Sequence, residues 1–272
     1  MVKTKLKEEI DDIGTPNEKY YAFDWDDNIV TMPTKIILKD EDDKEVGMST
    51  EDFAEYRDII GKEPFEFDGY TIVGYGEDPY RYFRTTGDKQ FIVEAMMAKP
   101  GPAWPDFVEA INNGSIFAIV TARGHTPSVI KEACYNYIVS NYNGIESKEL
   151  IKNLEKYRDL ADQETVSKRE MIREYLDLCK FYPVSFGEGS VSSPEEGKIN
   201  ALKEFVDYVK NISNELQKKA FLKNRISNYF IPKIGFSDDD IKNVDIVKKH
   251  FEQDPENIIK TYSTKGGIKK EY

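Results

Sequence analysis

Histidine, cysteine and tryptophan each occur only twice in this 272-residue chain, and there is no excess of basic residues. With His125, His250, Cys134 and Cys179 the sole histidines and cysteines, no Cys/His metal spacing exists. The two cysteines fall far apart in expected helices and read as reduced, buried thiols. No run approaches the ~20 apolar residues of a membrane span. The opening Met1-Val2-Lys3-Thr4-Lys5-Leu6-Lys7-Glu8-Glu9 lacks an apolar h-region, so no secretory signal is expected. A net charge of -12 opposes loose binding to nucleic acid or anionic membrane, although it leaves room for a local basic groove. These absences point to a soluble protein of a reducing, cytoplasmic compartment.

What is present is acid at one conspicuous place. Tyr20-Tyr21-Ala22-Phe23 leads directly into Asp24-Trp25-Asp26-Asp27-Asn28, followed by Ile29-Val30. The aromatic and apolar residues favour a buried strand. Alternation along a strand sets Asp24 and Asp26 on one side and Trp25 on the other. A strand interior does not accept this acid density, so the strand ends here. Two close carboxylates need a cation or a shared proton.

Beyond this point, residues 31–99 form a detour: a hairpin about the acidic turn 40–43, a helix capped by Ser49 or Thr50, an aromatic Gly-dotted stretch over 65–83 without a clean period, and a helix over 89–98. A helix at 105–111 precedes the apolar strand 115–120, which ends in Thr121-Ala122-Arg123-Gly124; the next helix covers 127–140. Residues 145–180 read as two amphipathic helices. Residues 181–186 read as a strand in which Pro183 demands an edge or a break. A Gly/Ser loop leads to Lys198 and a long helix, then a strand over 229–236 ending in Ser237-Asp238-Asp239-Asp240, a helix over 243–251 and a strand over 258–262. The Lys/Gly-rich tail from Ser263 reads as frayed. Strands alternating with helices imply an α/β protein whose parallel sheet is covered on both faces, with ligands at the carboxyl ends of its strands.

Four features share those ends: Asp24-x-Asp26, Thr121, Lys198 and Asp238-Asp239. This acid, cation and hydroxyl set suits phosphoryl transfer. Carboxylates from separate strands can hold Mg²⁺. Asp24 is the candidate nucleophile, Asp26 the acid/base, and Lys198 and Thr121 the ligands of the phosphoryl oxygens. Ala122 and Arg123 join the substrate-binding candidates; Asp24, Asp26, Asp238 and Asp239 are the metal candidates, with Asp238 preferred over Asp239. Lys180 and Lys203 rival Lys198. Asp240 reads as the start of the next helix.

In these motifs the chain resembles the haloacid dehalogenase-like hydrolases. Phe23-Asp24-Trp25-Asp26-Asp27-Asn28-Ile29-Val30 is similar to their first motif, with Asp27 at a small-residue position and Asn28 where Thr is usual. Phe117-Ala118-Ile119-Val120-Thr121 is similar to the second, Lys198 to the third, and Ile234-Gly235-Phe236-Ser237-Asp238-Asp239 to the fourth. The resemblance covers four patches, about 19–30, 103–141, 181–209 and 229–262. It implies a Rossmann-like, mostly parallel core over 1–30 and 100–272, with a helical insertion at about 145–180 and a cap or flap at 31–99. It further implies a Mg²⁺-dependent phosphomonoester hydrolase forming an aspartyl-phosphate on Asp24. Asp26 adds a backbone carbonyl to the metal, and the N–H groups of the following turn bind phosphate.

Three readings compete. The first is a phosphatase of small phosphorylated substrates. The second is a nucleotide or nucleic-acid-end phosphatase, with the aromatic residues of 65–83 stacking a base and Arg81 or Arg84 holding phosphate; a plain cap core is the duller account of those rings. The third is a regulatory protein that binds phosphate and metal without turnover. A calcium loop starting at Asp24 is opposed by Ile29 and Lys35 where Gly and Glu are required.

Overall fold

The computed structural model describes residues 19–160, 163–164, 166–187, 193–223, 231–254, 256 and 258–272. The lead-in before residue 19, most of the Gly/Ser loop, and Tyr229 and Phe230 of an expected strand lie outside them.

In chain order, β1 (Lys19–Phe23) and β2 (Val30–Thr31) flank the acidic turn. There follow β3 (Ile36–Asp40), β4 (Glu45–Met48), α1 (Thr50–Tyr56), β5 (Phe65–Phe67), β6 (Tyr70–Tyr75), α2 (Asp88–Met97) and β7 (Lys99–Pro100). Then come α3 (Trp104–Asn112), β8 (Phe117–Thr121), α4 (Pro127–Val139), α5 (Ser147–Leu160), α6 (Lys168–Leu178) and β9 (Lys180–Pro183). The chain closes with α7 (Pro194–Leu222), β10 (Lys233–Asp238), α8 (Ile241–Phe251), β11 (Ile259–Ser263) and β12 (Lys270–Glu271).

The central sheet has the order β12-β11-β10-β1-β8-β9, parallel except for β12. Alternation along β1 decides the two faces. Tyr21 and Phe23 pack with Phe107, Phe117, Tyr137 and Tyr175 beneath α2 to α6. Tyr20 and Ala22 pack with Leu202, Phe205 and Val209 of α7 and Val247 of α8. In the all-buried Phe117–Thr121, the residues before Thr121 form the apolar run that such double cover requires. From β1 the chain winds outward through β8 to β9, then returns to the other side through β10 to β11. The crevice between the ends of β1 and β10 is therefore the switch point at which α/β sheets bind ligands.

Several expectations shift. The strand expected over 181–186 is Lys180–Pro183 at the sheet edge, where Pro183 leaves no ladder bond unmade on a neighbour. The tail expected to fray instead pairs, with Tyr262 opposite Glu271 and Ser263 opposite Lys270. The aperiodic stretch 65–83 contains β5 and β6, joined through Asp68 and Gly69, both at positive φ, in a two-residue hairpin. β5 alternates but is only three residues long, and β6 carries Tyr70 and Tyr75 on opposite faces, which hid the period.

The detour is pinched at its base, where Val30 pairs with Pro100 and Thr31 with Lys99. Between these points it divides. β4-β3-β6-β5 form a separate antiparallel sheet with its own small core around Leu38, Met48 and Ile72. Helix α2 instead joins the main core through Phe91 and Ala95. Among the described residues no helix is long and apolar enough to cross a membrane.

Candidate active site

Asp24 follows β1 directly, and its N–H donates to the Ser237 carbonyl (3.0 Å), extending the β1/β10 ladder to the crevice. The buried Asn28 side chain fastens the turn. Its Nδ2 donates to the Asp24 carbonyl (3.0 Å) and to Ser237 Oγ (3.0 Å), and its Oδ1 accepts from Thr264 Oγ1 (2.9 Å). A threonine could not span three such partners, which gives the Asn its physical reason. Trp25 is buried on the other side against Phe91 and Tyr137, as alternation demanded. Within the turn the Asp27 N–H donates to the Val30 carbonyl, and the Ile29 and Val30 N–H groups to that of Trp25, so these three are engaged by the chain itself.

Lys198 is delivered by a helix start. Ser193 caps α7 by accepting from the Glu196 N–H, Pro194 occupies the first turn, and acids fill it. Side chains lean towards a helix N-terminus. The Lys198 ammonium accordingly reaches back between two strand ends, donating to Asp24 Oδ1 (2.8 Å) and Asp238 Oδ2 (2.7 Å). All three side chains are buried. Asp238 also accepts from the Asp240 N–H (2.9 Å) and Asn243 Nδ2 (3.1 Å). Asp240 caps α8, as expected, and pairs with Arg57 at the C-terminal end of α1 in the inserted segment (2.9 Å).

Carboxylate oxygens of Asp24, Asp238 and Asp239 lie within 4.8 Å of one another. The donor set is all oxygen and anionic, so it fits a hard divalent cation. The Asp26 carboxylate stands apart from this group. Both its oxygens accept from the Arg123 guanidinium, Oδ2 from Nε (2.8 Å) and Oδ1 from Nη2 (2.7 Å). Arg123, expected on a surface loop facing substrate, is only 2% exposed. Its face lies over Phe83, 4.5 Å from the ring centroid. Thr121 closes β8; its Oγ1 accepts from the Arg123 N–H (3.3 Å), which leaves the hydroxyl proton for a ligand. Gly124 donates to the Phe83 carbonyl, and a Cβ there would stand 2.8 Å from the Ser185 carbonyl oxygen.

Electrostatics separates these groups. Burial raises the Asp24 pKa; Lys198 opposes the rise, and Asp238 and Asp26 add to it. Asp239 is raised well above its ordinary value by burial and then by Asp238 and Asp24. Burial works against the Lys198 ammonium, yet Asp238 and Asp24 outweigh it and hold the proton more tightly than in water.

Asp27, the acid at the small-residue position, adopts φ 52° and accepts from Thr50 Oγ1 (2.5 Å), tying α1 to the turn. Burial raises its pKa to about 6, against the Thr50 hydrogen bond and with help from Asp26. Its ionisation therefore opposes folding, an effect absent below about pH 4 and growing as pH rises through the folded value. Asp27→Asn, which suits the left-handed backbone and can still accept from Thr50, is expected to stabilise the fold by roughly 1–3 kcal/mol near neutral pH and hardly at all near pH 4. Urea unfolding in EDTA at the two pH values checks this; equal shifts at both would contradict it.

The groups surround a cavity of about 450 Å³. Asp24, Thr121, Ala122, Lys198, Asp238 and Asp239 line its floor; Phe53, Tyr80 and Phe83 line the side contributed by the inserted segment, with Arg57 and Arg84 among them. Lys180, one rival to Lys198, lies over the Tyr208 ring instead. Sequence reading missed the Asn28 fastening, the Arg123–Asp26 fork, and the Thr50–Asp27 and Arg57–Asp240 ties. Only buried polar type could have marked them, because every partner is distant in sequence. Comparison of the chain with protein-family models, with curated proteins and with solved structures gives no match.

Proposed function

We propose that the protein is a phosphomonoester hydrolase of the haloacid dehalogenase-like kind, acting through an aspartyl-phosphate on Asp24. The observation that carries this reading is the unequal treatment of two carboxylates on one turn: Asp24 is paired with a buried ammonium beside two further acids, whereas Asp26 is held apart by Arg123. Nucleophile and acid/base need such separate settings.

Asp24, Asp238 and Asp239, with the Asp26 backbone carbonyl, would hold Mg²⁺, which supplies charge that offsets repulsion between carboxylates and a phosphate dianion. An Asp24 oxygen attacks phosphorus as the bond to the ester oxygen breaks, and Asp26, protonated on an oxygen that has given up its Arg123 hydrogen bond, gives that ester oxygen a proton. Asp26 then takes a proton from water; the water oxygen bonds to phosphorus, the bond to Asp24 breaks, and inorganic phosphate leaves. Lys198 and the Thr121 hydroxyl bind the equatorial oxygens throughout. The inserted sheet serves as the superfamily-type cap over this floor. Buried free thiols at Cys134 and Cys179 suit a reducing, cytoplasmic setting.

The test is phosphate release from nucleoside monophosphates, 3′-phosphorylated oligonucleotides and sugar phosphates, with Mg²⁺ and with EDTA. Mg²⁺-dependent release from some member is expected. Binding of Mg²⁺ and phosphate with no release from any would instead favour the regulatory reading.

The nucleotide reading gains from one division among the inserted rings. Tyr56 stacks on Phe65 and meets Phe67 edge to face within the insertion's own core. Phe53, Tyr80 and Phe83 line the cavity. Base–aromatic stacking contributes about 1–3 kcal/mol per base. Phe53→Ala should therefore raise KM for nucleoside monophosphates by roughly 10- to 100-fold and spare that for sugar phosphates; parallel changes in both would remove the nucleotide reading.

A further inference from the structure

We propose that His125, oriented by Asp88 of the inserted segment, is a positioning residue that acts through Arg123 on Asp26. The proposal rests on the acid/base role given to Asp26 above.

Arg123 uses every nitrogen it has. Nε and Nη2 serve Asp26, Nη2 also donates to Thr34 Oγ1 (3.1 Å), and Nη1 lies 3.3 Å from His125 Nε2. A guanidinium can only donate. His125 Nε2 must therefore accept, which places the imidazole proton on Nδ1. Nδ1 faces Asp88 Oδ1 at 2.9 Å, the acceptor that this tautomer needs. Asp88 is itself held, its second oxygen accepting from Thr126 Oγ1 (3.2 Å). The Thr34 hydroxyl in turn donates to Glu94 Oε2 (2.5 Å). His125 is fully buried, its ring 4.5 Å from that of Phe91, which with Phe83 also flanks the guanidinium.

The order of these groups matters. A carboxylate placed directly on Nη1 would compete with Asp26 for the Arg123 charge. A neutral imidazole accepts the same hydrogen bond and fixes the guanidinium plane without drawing the charge away. Asp88 fixes the imidazole from one bond further out, beyond direct reach of Asp26. Such outer partners are known to tune a site 10- to 100-fold in metal centres. Here the tuned object is the direction of the Asp26 carboxyl. Asp88, Thr34, Glu94, Phe83 and Phe91 all come from residues 31–99. The inserted segment thus does more than roof the cavity: it contributes the rigid backing of the acid/base.

Leaving-group chemistry separates this role from general support of the fold. An alkyl phosphate needs a proton on its departing oxygen, whereas 4-nitrophenyl phosphate departs without one. His125→Leu is expected to lower kcat/KM for an alkyl phosphate by about 10- to 100-fold and that for 4-nitrophenyl phosphate by less than about 3-fold. His125→Gln, which keeps an acceptor for Arg123, should recover most of the alkyl rate. Asp88→Ala, a half-buried position, should show the same selectivity and keeps the test usable if His125→Leu does not fold. Equal losses on both esters, or no loss, would overturn the proposal while leaving the phosphatase reading intact. Wild-type protein that hydrolyses neither ester would defeat that reading and this one with it.

Discussion

Asp24→Asn is expected to release no phosphate from any ester that the wild-type protein hydrolyses, and yet to fold more stably than wild type when divalent cations are removed. Both halves follow from one oxygen. An amide oxygen is too weak a nucleophile to displace an ester, so turnover should fall on the order of 10⁴-fold or more. The same substitution relieves the floor of the cavity. Asp24, Asp238 and Asp239 crowd within 4.8 Å, with one ammonium bonded among them. Burial outweighs that ammonium and raises the Asp24 pKa. A carboxyl raised in the folded state favours folding while protonated, below its ordinary pKa, and loses that contribution as pH rises through the folded value. Removing its charge should add about 1–3 kcal/mol near pH 8 in EDTA. The neutral amide oxygen can still accept from Lys198, and Asp238 keeps the ammonium paired. Phosphate release and urea unfolding, measured on the same preparation, check the two halves separately. Retained turnover would rule out Asp24 as nucleophile. Reduced stability in EDTA would show that Lys198 dominates Asp24 after all.

This dual behaviour marks how far the sequence could be read. Asp24, Thr121, Lys198 and Asp238 were legible because each sits where an apolar strand or a capped helix meets polar residues. Local pattern fixes those junctions: Phe117–Val120 is apolar throughout before Thr121 ends it, and Ser193, Pro194 and Glu196 announce a helix start. Their convergence followed from topology, since parallel strands bring their carboxyl ends to one edge. The grip on each carboxylate was not legible. Arg123 meets Asp26 across 97 positions, and Arg57 meets Asp240 across 183. No period or spacing encodes such pairs; they exist only once the insertion has folded back on the core. The insertion was also the least legible by pattern, because its β5 is only three residues long, its β6 carries Tyr70 and Tyr75 on opposite faces, and its α2 belongs to the main core. Asn28 shows the converse error. Reading it only as a departure from a motif obscured a side chain with three hydrogen-bonded partners.

Lys198→Met is expected to be the most destabilising single change at the site in the absence of divalent cations, and a divalent cation should reverse much of it. The Lys198 side chain is 4% exposed, and its ammonium donates to two carboxylates at 2.7 and 2.8 Å. Asp238 and Asp24 hold its pKa above the ordinary lysine value despite burial. A base raised in this way contributes its full stabilisation below its unfolded pKa, hence throughout the neutral range, and loses it only as pH rises through the folded value. Methionine fills a similar volume, so the loss is one of charge rather than packing. Two buried carboxylates would then face each other beside a third, with no cation between them. Breaking a buried ion pair by removing one partner costs about 3–5 kcal/mol. Two routes lead back. Acid protonates Asp24 and Asp239, whose raised values already favour the neutral form, so the deficit should shrink as pH falls. Mg²⁺ supplies the missing charge to oxygens that fit it, and a ligand that binds only the folded chain stabilises by mass action. The rise in melting temperature on adding Mg²⁺ should therefore be larger for Lys198→Met than for wild type. Turnover should stay low even with Mg²⁺ present, because the ammonium is also the group proposed to bind the phosphoryl oxygens. Thermal melts of both proteins in EDTA and in Mg²⁺ decide the matter. A variant as stable as wild type in EDTA would mean that Asp24 is already neutral in the wild-type protein. A deficit that Mg²⁺ leaves untouched would mean that the three acids do not form a cation site.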